Sequence, residues 1–364
     1  MGVAGASGSG GGAGVVGSGG GAGGIGAAGS GAAGKGAAGS GAAGKGTGGG
    51  GAAGSGVAPG TGGRADAGAA DAQLRNPPTC FPVPTFACSP ESLQAGPDGN
   101  IWFAESRSSK VGRITPAGTI TEFPVPNSES FVPSVTIGPD GNIWFTQASP
   151  SQIGRLTPSG VMTLFTIPHP AQAIGPGADG NVWFLENTTN VVGRITPDGT
   201  PTEFSVPTSG AYPSGITLGP DGNVWFTELT KKIGRITPSG TITELPLVGA
   251  AAGPTDIVTG PDGNLWFTEY GTDPRIGRLT PTGTFTEFRL PAGGLAFGIT
   301  AGPDGNLWFT DGGTYSIGRI TVDGALVEYV VTDSTGRLDG IAAGPDGNIW
   351  FTDTAANEIC RIAP

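Results

Sequence analysis

The sequence predicts an all-β fold: a seven-bladed β-propeller of four-stranded antiparallel blades, closed by an N-terminal strand that completes the last blade. Three observations predict it. The 7 tryptophans, Trp102, Trp144, Trp183, Trp225, Trp266, Trp308 and Trp350, recur at intervals of 42, 39, 42, 41, 42 and 42 residues. A fixed period near forty marks a propeller or a solenoid. Each repeat divides into four short strand-forming runs separated by turn residues. The last repeat stops after its third run, and the missing fourth stands near the N-terminus.

Every Trp lies in a copy of one stretch, clearest as Gly260-Pro261-Asp262-Gly263-Asn264-Leu265-Trp266-Phe267-Thr268-Glu269. Pro-Asp-Gly-Asn is a tight turn: Pro presets φ, Gly accepts positive φ, and Asp and Asn satisfy nearby backbone. The apolar run after it favours a strand. In the fifth repeat, strands are expected at 257–259, 265–268, 275–280 and 284–288. Pro281-Thr282-Gly283 is a hairpin loop whose last Gly suits a left-handed residue. Adjacent Trp and Phe on one strand point to opposite faces. Both faces must be buried, as they are when blades pack on neighbours at both sides.

An open solenoid needs polar end repeats, whereas this chain shows closure. Its last residues, Cys360-Arg361-Ile362-Ala363-Pro364, end a third strand. Thr79-Cys80-Phe81-Pro82-Val83-Pro84 reads like the fourth-strand stretch Thr121-Glu122-Phe123-Pro124-Val125-Pro126. In the hairpin register Gly277 faces Glu287; Cys360 takes the first position and Cys80 the second. Opposed residues lie about 4.5–5.5 Å apart, within disulfide reach. A Cys80–Cys360 disulfide is therefore expected; the alternatives are Cys80–Cys88 or three thiols. A disulfide implies an oxidising compartment. An extracellular, periplasmic or cell-surface location is expected, although the N-terminus lacks the basic and apolar regions of a signal peptide.

Residues 1–77 read as a disordered Gly/Ala/Ser-rich tether, leaving 78–364 for the propeller. The tether has almost no apolar side chains to bury against the entropy of ordering. Its near matches to a phosphate-binding loop, at 29–36 and 39–46, put Gly where Ser or Thr should stand. Net charge is −11, with 29 acids against 18 bases. That argues against nucleic acid, which requires clustered Lys and Arg, and against adsorption to anionic lipid. No apolar run is long enough to span a membrane. A monomer is expected, with a small molecule, a glycan or a protein as ligand at the channel mouth.

The GPDGN turn, the Trp-Phe-Thr-Glu strand and the Ile-Gly-Arg signature together resemble the virginiamycin B lyase (streptogramin B lyase) family. The signature stands at Ile153-Gly154-Arg155, Ile233-Gly234-Arg235, Ile276-Gly277-Arg278 and Ile317-Gly318-Arg319, and the resemblance covers all seven repeats. It implies a seven-bladed propeller. It also implies antibiotic resistance by a lyase that opens a cyclic depsipeptide by elimination at its ester, using a His base and Mg²⁺. The family motif has His after Pro in the last two blades. It has Glu two residues before the later His and another Glu after the final Trp-Phe. The matching residues here are read as Glu91, Ser134, Ala171, Ser214, Thr255, Phe297 and Asp339. Phe297 and Asp339 thus replace the two histidines. Arg337 replaces the first Glu, where it would repel a cation and lower the pKa of Asp339. Asp353 is the acid nearest the second Glu, one position early.

The only histidine, His169, precedes Pro170 in the link between blades 2 and 3. It reads as a solvated loop residue without the orienting partner a base needs. Neither a Ser-His-Asp set nor a Cys/His zinc site can be assembled. The lost His pair favours a binding module. The alternative is an enzyme: a lyase with Asp339 as candidate catalytic base, or a metal-assisted catalyst acting on another lactone or a sugar.

The residues read after the Trp-Phe pairs are Glu105, Gln147, Leu185, Glu228, Glu269, Asp311 and Asp353, a mostly acidic rim. Glu228, Glu269, Thr255, Asp256 and Phe297 are the candidate binding residues. No cofactor is assigned; a metal, if bound, would be Mg²⁺ or Ca²⁺ at Asp311, Asp339 and Asp353. The competing reading pairs these acids with local N–H groups or with the repeated Arg. That Arg, from Arg113 to Arg361, reads as structural because seven equivalent copies cannot mark one site.

Overall fold

The computed structural model describes residues 77–126, 131–250, 252–271, 273–331 and 336–364. The expected tether over 1–77 lies outside them, apart from its last residue. The described residues form 28 strands in seven four-stranded antiparallel sheets. Blades 1 to 6 are sequential, spanning 90–124, 135–166, 173–205, 213–246, 253–289 and 296–330. Blade 7 takes three strands from 338–362 and its outer strand, Thr79–Pro82, from the other end of the chain.

In blade 5 the strands are Gly253–Thr259, Leu265–Tyr270, Arg275–Leu279 and Phe285–Arg289. Gly277 faces Glu287 as expected, and the hairpin glycine Gly283 has φ of 95°. The innermost strand starts earlier than its apolar pattern suggests. A bulge between Pro254 and Ile257 interrupts the alternation, and pairing resumes beyond it at Pro254–Glu269. The same bulge recurs in blades 1, 4, 6 and 7.

The core is a ring of inter-blade clusters. The Trp of each blade shares a cluster with the Phe of the next, as Trp102 does with Phe145 and Trp266 with Phe309. Trp350 and Phe103 close the circle. Each indole N–H is met by the Asp of its own turn, Trp266 Nε1 donating to Asp262 at 3.0 Å. Leaving that donor unmet costs about 1–3 kcal/mol. Asp262→Ala should therefore destabilise by about that much in urea titration, while Asp262→Asn, which keeps an acceptor, should cost less. The repeated Arg has a packing role: Arg113 lies 5.4 Å over the Trp102 ring and donates to Pro158 O of the next blade at 3.1 Å. The Gly before it is required by the Phe ring opposite. A Cβ at Gly277 would come within 2.2 Å of Phe267.

The latch is present. Cys80 pairs with Cys360 across the two strands, and the disulfide joins them with Cα atoms 4.0 Å apart. Asn357 holds the incoming chain further, donating to Val83 O at 3.1 Å and Thr85 O at 2.9 Å and accepting from Cys88 N at 2.9 Å. Cys88 is a buried free thiol, and burial pushes its pKa up to about 12. It should resist an aromatic disulfide reagent at pH 8 in the native protein and react fully in denaturant. Rapid native labelling would show that the arm opens.

Candidate functional site

The innermost strands line a central cavity of about 1170 Å³. Strand register identifies the ring of residues at its mouth. Leu93 faces Phe103 in blade 1, Val135 faces Phe145 in blade 2 and Ile174 faces Phe184 in blade 3. The mouth position, two residues earlier, is therefore Glu91, Pro133, Gln172, Ser214, Thr255, Phe297 and Asp339, all of which line the cavity. The expected Ser134 lines the cavity beside Pro133, whereas Ala171 is fully buried and does not, which corrects that expectation to Gln172. Blade 3 has no bulge, so the preceding Pro is a false anchor there. Counting five residues back from the glycine that opens each turn finds the ring in every blade.

The threonine of Trp-Phe-Thr holds this ring in place. Thr268 Oγ1 accepts from Asp256 N of its own bulge at 3.1 Å and donates to Phe297 O in blade 6 at 2.8 Å. Thr310 Oγ1 likewise accepts from Gly298 N at 2.9 Å and donates to Asp339 O at 2.6 Å. Neighbouring innermost strands run close together: a Cβ at Gly340 would sit 1.7 Å from Glu91 O. The mouth side chains thus project from a rigid, repeatedly bolted ring.

On the side of blades 5 to 7 the mouth carries an aromatic and charged cluster. Arg337 lies 4.5 Å over the Phe297 ring, and its Nη2 is 3.0 Å from Asp339 Oδ2. Tyr270, half-exposed, meets Phe297 with ring centroids 6.0 Å apart. Arg337 does not drive the Asp339 pKa down as expected. Burial raises it and outweighs the guanidinium. Glu91, across the blade 7–blade 1 junction, is also raised, by burial and then by Asp339, and accepts from Ser106 Oγ at 2.9 Å. Asp256 is a staple between blades. It accepts from Ile257 N at 2.9 Å and Ile299 N at 3.0 Å, and burial pushes its pKa up to about 6.

The expected rim acids lie at the same end of the molecule, one strand further out, and do not line the cavity. The blade 3 member is Glu186, paired with Val191 as Glu105 is with Lys110, and not Leu185. All seven of these side chains are buried. Asp311 accepts from Leu295 N, Gly313 N and Thr314 N at 2.7, 2.8 and 3.1 Å. Asp353 accepts from Ala355 N at 3.2 Å and Ala356 N at 2.9 Å. Glu228 and Glu269 face Glu244 and Glu287, and burial pushes them up to about 7 and about 8. Of the candidate binding residues, Thr255, Asp256 and Phe297 reach the cavity, and Glu228 and Glu269 do not.

Asp311, Asp339 and Asp353 do not converge on one point. Among the described residues, the triads of His, Cys, Asp or Glu donors lying within 4.8 Å of one another are Cys80/Glu358/Cys360 and His169/Glu186/Glu203. The mouth does not fit Mg²⁺ either: a guanidinium already neutralises Asp339, and Asp353 is committed to loop N–H groups. His169 has the partner that the sequence did not show. Its Nδ1 is 3.3 Å from Glu186 Oε2.

A model of the Virginiamycin B lyase family matches residues 65–274 and 247–364. The chain belongs to the virginiamycin B lyase family. Among solved structures it is similar to a streptogramin B lyase, at 35% identity and TM-score 0.74, covering 78% of this chain and 96% of that one. It is equally similar to the Staphylococcus aureus virginiamycin B lyase, at 36% identity and TM-score 0.74, covering 79% and 99%. A catalytically inactive histidine-to-alanine variant of that enzyme, with quinupristin, matches at the same identity, coverage and score. No curated protein sequence matched the chain. Within the virginiamycin B lyase fold, then, the mouth of this member carries Phe297, Arg337 and Asp339, and the chain's 1 His stands outside the cavity lining.

Proposed function

We propose that this chain is an exported, ligand-binding member of the virginiamycin B lyase family that does not carry out histidine-dependent elimination. The observation that carries the reading is the mouth itself. Phe297 and the Arg337–Asp339 pair occupy it, and His169 lies away from it. Elimination beside an ester needs a base for a weakly acidic Cα proton and a positive charge where the enolate oxygen forms. Asp339 is engaged by Arg337, and the imidazole is elsewhere. The same cluster suits binding. Tyr270 and Phe297 offer ring faces and edges, Arg337 donates to carbonyl or carboxylate oxygens, and the cavity has room for a small cyclic peptide. The disulfide supports export, and no helix among the described residues is long and apolar enough to cross a membrane.

Quinupristin is a suitable probe because a relative has been solved with it. Calorimetry should show saturable binding that Phe297→Ala and Arg337→Ala each weaken about tenfold or more, roughly 1.4 kcal/mol, without shifting the unfolding midpoint. Absent binding, or binding indifferent to both changes, would remove the mouth as a site for this ligand class. One observation favours a second reading: Asp339 lines the cavity mouth, and burial raises its pKa. That reading makes the chain a carboxylate-dependent lyase.

A further inference from the structure

Blades 1, 4 and 5 solve one electrostatic problem in the same way. Each buries an acid at the end of its second strand beside another acid on its fourth, and each supplies a cation from the start of its third. Lys110 contacts Glu122 at 2.8 Å, Lys232 contacts Glu244 at 2.9 Å and Arg275 contacts Glu287 at 2.7 Å. Blade 3 keeps both acids, Glu186 and Glu203, but the cation position is Val191. Two carboxylates there face each other without a lysine or arginine. Blade 6 also lacks the cation, at Ser316, but there Asp311 is held by three backbone N–H groups.

In blade 3 the link from blade 2 brings His169 to the gap. Its Nδ1 is 3.3 Å from Glu186 Oε2 and 4.0 Å from Glu203 Oε1, and the three donor atoms lie within 4.8 Å of one another. Glu186 is fully buried, and its Oε1 accepts no hydrogen bond. We propose that His169, Glu186 and Glu203 form a binding site for a divalent transition-metal ion of the Zn²⁺ class, which supplies the positive charge that blades 1, 4 and 5 take from lysine or arginine.

The geometry suits such an ion. Zn²⁺ holds imidazole nitrogen and carboxylate oxygen at about 2.0–2.2 Å, so tetrahedral neighbours stand about 3.4 Å apart. The observed separations need only small side-chain shifts. Imidazole in the donor set favours Zn²⁺, Ni²⁺ or Cu²⁺ over Mg²⁺ or Ca²⁺. Thr189 Oγ1 donates to Glu186 Oε2 at 2.7 Å, the outer-shell support that orients a ligating carboxylate. His169 is half-exposed, which leaves an entry path and a fourth position for water.

The test is titration of the intact oxidised chain with Zn²⁺ by calorimetry and with Co²⁺ by visible absorption, at pH 7.5. One equivalent should bind, and Co²⁺ should show a tetrahedral spectrum. His169→Ala and Glu203→Gln should each weaken binding by more than the ~10–100-fold typical of losing an outer-shell partner. Val191→Lys, which rebuilds the cation of blades 1 and 4, should abolish uptake while leaving the fold at least as stable by urea titration. Failure of the wild-type chain to bind would overturn the proposal. Binding that survives both His169→Ala and Val191→Lys would overturn it as well.

Discussion

Replacing Cys80 and Cys360 with serine should lower the stability of the propeller by about 5 kcal/mol. The bond closes a loop with a sequence separation of 280 residues, nearly the whole described chain. Joining its ends removes conformations mainly from the unfolded state, and the effect grows with the logarithm of loop length. A second consequence lies in the native state. The Thr79–Pro82 strand covers the outer edge of blade 7, and an uncovered edge is a template for another chain. The variant should unfold at a lower urea concentration, and deletion of 79–84 should in addition aggregate. A change below about 1 kcal/mol would mean that strand pairing and Asn357 close the ring unaided.

Stability should also fall on raising the pH from about 5.5 to 9, by an amount on the order of several kcal/mol. Burial is the first cause of the raised pKa of Glu105 and Glu228, at about 7, and of Glu269, at about 8, against an ordinary 4.5. Between those limits the native state holds more protons than the unfolded state. Their contribution is therefore complete below pH 4.5 and is lost as pH rises through 7 to 8. The turn aspartates run the other way. Burial raises Asp262, but hydrogen bonds from Asn264 and Trp266 outweigh it and hold it below 3.8, so its contribution is lost as pH falls. Together these place the stability maximum in mildly acidic solution. Glu228→Gln with Glu269→Gln should flatten the alkaline limb, as read from melting temperature against pH. An unchanged slope would show that those carboxyls ionise freely in the folded protein.

The fold was legible in the sequence because every structural part repeats. The Trp spacing, the turn glycines and the opposed cysteines each state a geometric relation, and the strand pairings follow from them. The site was legible only in part. Phe297, Asp339 and Arg337 stood out as departures from the family motif, but their contact across two blades depends on a ring closed over the whole chain. The bulge misled where it was missing. In blade 3 the Pro anchor points to the buried Ala171, whereas the distance from the turn glycine gives Gln172, which lines the cavity. Leu185 is off by one residue for a different reason: it holds the threonine position of Trp-Phe-Thr-Glu, and the acid follows at Glu186. Once Glu186 takes that place, the substitution of Val191 for a cation is readable from the repeats alone. The approach of His169 is not, because it depends on the path of an irregular link.

Turnover separates a binding member of the family from an active lyase. Quinupristin incubated with the purified chain and Mg²⁺, followed by liquid chromatography and mass spectrometry, should remain cyclic while a histidine-bearing member of the family linearises it under the same conditions. A linear product formed by the wild-type chain and lost in Asp339→Asn would rule out a purely binding role and identify Asp339 as the base of an active lyase.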